Sequence, residues 1–250
     1  MLDELRNIRL TLEYDGTDFC GWQVQPGART AQGVLEEALA ELLGGRHRVV
    51  AASRTDSGAH ARGQVVSFYT RSELPAARVL MALNAILPED VVVREASDVT
   101  LDFNARRSAR TRRYTYRVVV GPTALLRERA WSVRRPLDLS KMQAACPATL
   151  GLRDFRAFSA GVEENGSTLC MVTECRWRDW AEGGNMGYMF EIVADRFVRY
   201  MVRTLAGTTV RIGEGRLEPA ELGLGLESRL RHRLAYTAPA QGLCLEEVTY

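Results

Sequence analysis

Residues 52–65 read Ala-Ser-Arg-Thr-Asp-Ser-Gly-Ala-His-Ala-Arg-Gly-Gln-Val, a polar stretch set between two apolar runs. The flanking runs, 49–52 and 65–69, are short and rich in β-branched or aromatic side chains, which predicts two strands with a loop between them. Asp56-Ser57-Gly58 on its own is a turn sequence, with Asp to start it and Gly free to take positive φ. A turn does not need Arg54, Asp56, His60, Arg62 and Gln64 so close together. A carboxylate between two arginines, carried on strands, is where chemistry tends to sit.

The rest of the chain supplies elements to surround that loop. Ile8, Leu10, Leu12 and Tyr14 alternate with polar residues and predict a half-buried strand ending at Asp15-Gly16. Trp22, in the following loop, is read first as core and second as a platform for a base. Val34, Leu35, Ala38, Leu39, Leu42 and Leu43 predict a helix capped by Thr30 and closed by Gly44-Gly45. A second helix opens at Pro75 and stops at Pro88, and Val91-Val92-Val93 predicts a strand. Strand, helix, strand, strand, helix, strand is the split βαβ order, which makes an antiparallel sheet backed by two helices.

Residues 106–113 are the densest basic stretch, read either as a solvated face or as a phosphate-contacting surface. Tyr114, Tyr116, Val118 and Val120 then share one face of a strand. Further on, a helix from Asp138 is broken by Pro147, and 171–180 and 186–194 form a hairpin across Glu182-Gly183-Gly184-Asn185. Helical periodicity over 197–212 predicts Arg196, Arg199 and Arg203 on one stripe, which on pattern alone is equally a solvent face. A short helix begins at Glu218-Pro219, Arg229, Arg231 and Arg233 make a further basic spot, and 243–248 predicts a last strand. The second half therefore has the same expected element order as the first.

Composition bounds the partners. The 250 residues are 46% hydrophobic, enough for a substantial core, and the net charge is only +2, so any nucleic-acid footprint must come from local clusters. Lys141 is the sole lysine; the remaining basic residues are arginine. Five cysteines without a CxxC pair and three scattered histidines give no zinc framework. The cysteines read as intracellular free thiols, and neither a signal peptide nor a membrane span is recognisable. A cytoplasmic protein with no metal, no cofactor and no membrane association is expected.

Four stretches carry a resemblance. Residues 54–65, with residues 14–25 (Tyr-Asp-Gly-Thr-Asp-Phe-Cys-Gly-Trp-Gln-Val-Gln), Arg113-Tyr114-Thr115-Tyr116 and 197–203 (Phe-Val-Arg-Tyr-Met-Val-Arg), resemble in the same order the motifs of the TruA family of tRNA pseudouridine synthases. Ser53 stands where that family usually has Gly, and Ala59 where it usually has Val. The resemblance implies an α+β fold of two ferredoxin-like halves, with mainly antiparallel sheets joined across a central basic cleft. The first half is 1–105 with the Asp loop; the second is 106–250 with the Tyr strand and the Arg helix. It implies Asp56 as nucleophile or base, Tyr114 as stacking and proton-handling ring and Arg203 as ion-pair partner. Arg54 would replace the extruded base, Gln64 would join substrate binding, and Leu243 would wall the uracil pocket. The implied substrate is uridine at positions 38, 39 and 40 of the tRNA anticodon stem-loop, and the implied assembly is a homodimer. A non-catalytic tRNA-binding protein or chaperone is the alternative; a metal-dependent nuclease would need a cluster of carboxylates or histidines that Asp56 lacks nearby.

Overall fold

A computed structural model describes residues 4–160, 167–228 and 235–250. The chain folds into two compact α/β units, one of residues 1–110 with 245–250, the other of 111–244.

The first unit contains β1 (Arg6–Tyr14), α1 (Ala31–Leu43), β2 (Val50–Ala51), β3 (His60–Thr70), α2 (Ala76–Ile86) and β4 (Val91–Val99). Its sheet runs β4-β1-β3, with β2 on β3, and every pairing is antiparallel. The alternation in β1 buries Ile8, Leu10, Leu12 and Tyr14, while α1 contributes Leu35 and Leu39 and α2 contributes Val79 and Leu83 to the core. Thr30 caps α1 by accepting from Gly33 N–H, and Gly44 ends it at φ 72°.

The strands around the Asp56 loop differ from the expected ones. The first is only two residues long and the second begins at His60 rather than Val65. The polar stretch His60–Gln64 is extended because β1 offers it a ladder, Tyr14 opposite Ala61 and Leu12 opposite Gln64. A backbone partner decides strand formation here, whatever the side chains' polarity. The loop proper is 52–59.

The second unit contains β5 (Thr111–Val120), β6 (Trp131–Val133), α3 (Leu139–Ala145), β7 (Gly151–Asp154), β8 (Leu169–Glu182), β9 (Asn185–Ala194), α4 (Met201–Gly213) and α5 (Ala220–Ser228). The strand order is β5-β9-β8-β7, with β6 parallel to β5. The short strands β6 and β7 depart from the expected order; each is too short for a period-2 pattern to register. Gly183 and Gly184, both at positive φ, turn the β8–β9 hairpin. The chain ends in β10 (Leu243–Thr249), whose last residues pack with the first unit beside β3. There a Cβ on Gly63 would lie 2.4 Å from the Glu246 carbonyl oxygen, so the approach requires glycine. The basic spot at Arg229, Arg231 and Arg233 lies outside the described residues.

On β9, Glu191 is buried between Arg176 and Arg178, with Arg178 Nε donating to it at 2.9 Å. Burial alone would raise its pKa, but the two guanidinium partners outweigh that and hold it below the usual carboxylate range. A lowered folded-state pKa stabilises the fold above the unfolded carboxylate's range, and this contribution is lost as pH falls through the folded value. Glu191→Gln should cost about 1–2 kcal/mol at neutral pH, discounted for the solvent around both arginines. The variant should also show a flatter loss of stability on acidification than the parent in urea melts recorded from neutral pH downward.

Candidate active site

Asp56 is half-buried in a loop whose backbone is tied on both sides of it to residues 14–22. Trp22 N–H donates to the Thr55 carbonyl at 3.1 Å, and Gly58 N–H and Ser57 Oγ both donate to the Phe19 carbonyl at 3.2 Å. Beneath, the Tyr14 and Thr55 hydroxyls meet at 2.7 Å in a buried position. Ala59 N–H donates to the Asp56 carbonyl at 3.1 Å and Gly58 has φ 78°, so the turn foreseen at 56–58 forms. Turn and candidate site are the same object.

Two glycines permit this closeness. A Cβ on Gly16 would sit 1.9 Å from the Ala59 carbonyl oxygen, and one on Gly21, at φ 86°, would sit 2.9 Å from the Thr55 carbonyl oxygen. No other residue type fits either place without moving backbone. Trp22 is 3% exposed and tilts against Tyr14 with ring centroids 6.0 Å apart, so its role here is packing. Gln64 is fully enclosed: its Nε2 donates to the Ser53 carbonyl at 2.6 Å and its Oε1 accepts from Ser53 N–H at 3.4 Å. It anchors the loop from below. Ala52 and Val65 pack with Ala105, Phe103, Val248 and Tyr250 in a small cluster of their own, and Arg54 is exposed at the loop.

The second unit carries the other candidate residues. Tyr114 lies on β5, 3% exposed, edge-on to Phe197 at 5.0 Å. Leu243 is buried at the start of β10. Arg203 is in the first turn of α4. That helix begins at Met201, not near Phe197, because Tyr200 before it is left-handed, at φ 66°. Arg196 and Arg199 are therefore off the helix, and the expected three-arginine stripe does not form. A solvent face for α4 is likewise absent, since among its residues Arg203 and Arg211 alone are not buried. Arg203 Nε donates to the Ala238 carbonyl at 2.8 Å, while its own carbonyl accepts from Ala238 N–H at 3.1 Å. The Arg203 and Arg199 guanidinium carbons lie 4.9 and 4.8 Å from the Tyr200 ring centroid.

Tyr200 is what periodicity misses: among the described residues it is the one non-glycine at positive φ, a conformation that no side-chain pattern announces. The basic stretch also divides. Arg106, Arg107 and Arg110 are exposed, whereas Arg112 is buried on the Asp195 carbonyl at 2.6 Å and Arg113 pairs with Glu174 at 3.4 Å. Among the described residues, no group of three or more His, Cys, Asp and Glu side chains could hold a metal ion, and no helix is long and apolar enough to cross a membrane.

The first unit of this α/β protein carries a carboxylate loop clamped by a preceding aromatic motif, and the second unit carries an arginine tethered at a helix start. Residues 11–106 and 145–250 match the family described as tRNA pseudouridine synthase. The chain is 40% identical over 248 residues to the tRNA pseudouridine synthase A of Acetivibrio thermocellus, covering 98% of this chain and 100% of the relative. It is 41% identical to that of Moorella thermoacetica, covering 97% and 99%, and 42% identical to that of Myxococcus xanthus, covering 97% and 91%. The chain belongs to the tRNA pseudouridine synthase family.

Glycine replacement separates clamp from scaffold. Gly16→Ala should destabilise by roughly 1–3 kcal/mol through the clash at Ala59. Gly223→Ala, inside α5 with only ordinary contact to Ala148, should be neutral or stabilise by up to about 1 kcal/mol. Thermal unfolding of both variants checks the pair.

Proposed function

We propose that the protein isomerises uridine to pseudouridine at positions 38, 39 and 40 of the tRNA anticodon stem-loop, with Asp56 as nucleophile or base. The observation that carries this is the clamp on Asp56, built by two motifs of a family to which the whole chain belongs. The reaction breaks the bond from uracil N1 to ribose C1′, turns the base, joins C5 to C1′, and transfers the C5 proton so that N1 ends protonated. Atoms balance within one nucleotide, so neither redox partner nor cofactor is needed. The chemistry calls for an ionised carboxylate beside the sugar, a ring to stack on the freed base, and a cation that favours the charged carboxylate in a desolvated site.

In this reading Tyr114 is the stacking and proton-handling ring, Arg203 the cation, and Leu243 the apolar wall. Arg203's tether to Ala238 and its half-buried place on an otherwise enclosed helix support a fixed guanidinium rather than a solvated one. A paired uridine must leave the stem to react, and exposed Arg54 is assigned to the space it vacates. Gln64 contributes to substrate binding by fixing the loop from which Arg54 and Asp56 project. Exposed Arg106, Arg107 and Arg110 supply phosphate contacts.

The finer architecture belongs to the same proposal. Two ferredoxin-like halves, 1–105 and 106–250, are part of this reading; the βαββαβ order and wholly antiparallel pairing of β1 to β4 support the first of them. A cytoplasmic homodimer is the proposed working form, since one chain of this size offers limited surface for gripping both an anticodon arm and the tRNA body.

The test is incubation with an unmodified tRNA transcript followed by mapping of new pseudouridines. Products at 38 to 40 are expected, and products confined to another arm would refute the site assignment. Asp56→Asn should retain tRNA binding while losing at least about a thousandfold in rate. Undiminished turnover in that variant would remove Asp56 from the mechanism.

A further inference from the structure

The hydrogen bonds that hold the Asp56 loop form a closed circuit, and one side chain completes it. Ser57 Oγ and Gly58 N–H both donate to the Phe19 carbonyl at 3.2 Å, Phe19 N–H donates to the Gly16 carbonyl at 3.0 Å, and Gly16 N–H donates to His60 Nδ1 at 3.0 Å. His60 begins β3 directly after the loop, so the circuit leaves the chain at 57 and 58 and returns to it two residues further on. The link to Phe19 is doubled, by a hydroxyl and a backbone amide. The link at His60 is single, since among the described residues Gly16 N–H has no other acceptor.

The end of the ladder between β1 and β3 explains why a side chain is needed there. Its last pair is Tyr14 opposite Ala61, and the next amide, Asp15 N–H, donates to the Asp90 carbonyl at 3.0 Å. Gly16 follows, is buried, and bonds no backbone carbonyl through its N–H. A buried N–H without an acceptor is costly, and the imidazole supplies one. An amide aimed at Nδ1 requires a lone pair on that nitrogen, so the ring's proton is on Nε2. Asp15 Oδ1 lies 3.2 Å from the same nitrogen. That oxygen accepts from Thr17 N–H at 3.0 Å and from Thr17 Oγ1 at 2.5 Å, which caps its own turn and leaves Nδ1 to Gly16.

We propose that His60 is a positioning residue for the reaction at Asp56. By accepting from Gly16 N–H it fixes Gly16 and Phe19, and through them the turn that carries the carboxylate. The proposal rests on the assignment of Asp56 to the uridine reaction. Its consequence is a division of effects: the rate of the chemical step depends on His60, and the affinity for tRNA does not. A reacting group displaced by about 1 Å can lose on the order of a hundredfold in rate, so a loosened turn is visible in kinetics even where the fold survives.

The experiment compares the full-length parent with His60→Asn and His60→Gln. The Asn carboxamide oxygen can take the place of Nδ1 and accept from Gly16, whereas the longer Gln side chain carries its amide to the place of Nε2 and leaves Gly16 N–H without its acceptor. Hydrogen exchange at the Gly16 amide is followed by NMR, and pseudouridine formation on an unmodified tRNA transcript is followed in single turnovers at saturating enzyme, with equilibrium tRNA binding measured alongside. His60→Gln should exchange its Gly16 amide about tenfold faster than the parent and lose on the order of tenfold in rate, with tRNA affinity unchanged. His60→Asn should keep both exchange and rate close to the parent's. An unchanged rate in His60→Gln, equal losses in the two variants, or a fall in tRNA affinity that matches the fall in rate would overturn the assignment. Failure of the parent to form pseudouridine would instead overturn the proposed reaction, and the exchange comparison would still decide whether His60 holds Gly16.

Discussion

The approach of the 16–22 backbone to the 55–59 backbone is the contact on which the placement of Asp56 depends. Asp56 has no rigid element of its own. Its immediate neighbours Thr55, Ser57 and Gly58 are instead fixed by hydrogen bonds to Tyr14, Phe19 and Trp22. Backbone bonds of this kind suit the catalytic role proposed for the loop, because they set the position of the Cα whatever rotamer the carboxylate adopts. They also make the segment before α1 and the loop before β3 a single structural piece, which accounts for two sequence-distant motifs appearing together. The same bonds exclude side chains at Gly16 and Gly21, where a Cβ would displace the carbonyls that make the clamp.

Arg203 is held by a different strategy. α4 is enclosed, and its threonines turn inward: Thr208 Oγ1 donates to the Thr204 carbonyl at 2.7 Å, and Thr209 Oγ1 accepts from Trp177 Nε1 at 3.0 Å. A helix that satisfies polar groups internally can be surrounded without leaving buried donors unmet. Its first turn then becomes a rigid mount. The left-handed Tyr200 swings the chain into that turn and brings its ring under two guanidinium groups, so the strain at one residue positions the cation.

Much of this was legible in the residues, and the failures have identifiable causes. The β1 alternation, the Thr30 cap, the Gly183-Gly184 hairpin and the Asp56 turn are local and appear as read, because adjacent residues fix each of them. The start of β3 was misplaced since pairing with β1, a non-local contact, made strand of a polar stretch. The start of α4 was misplaced since helical period says nothing about one left-handed residue. The role of Gln64 under Ser53 was hidden for a third reason: a glutamine in a polar run gives no sign that its amide will be wholly enclosed. The motifs located the candidate residues; the partners that hold them could not be read from spacing.

The near-exclusive use of arginine follows from the same physics. Cations in this fold repeatedly need a planar group that can lie against a ring while donating in a fixed direction. Arg29 lies 4.2 Å from the Phe19 ring centroid while making a two-pronged contact with Asp90, and Arg211 lies 4.3 Å from that of Tyr236. Arg6 serves Asp98 and the carbonyls of Ser72 and Leu74 at once. An ammonium on a flexible stem provides neither the stacking nor the fork. Such arginines, Arg29 with Asp90 and Arg6 with Asp98 among them, are engaged by the fold itself. The loop arginines Arg46, Arg54, Arg106, Arg107 and Arg110 are exposed, and at those positions the positive charge faces outward.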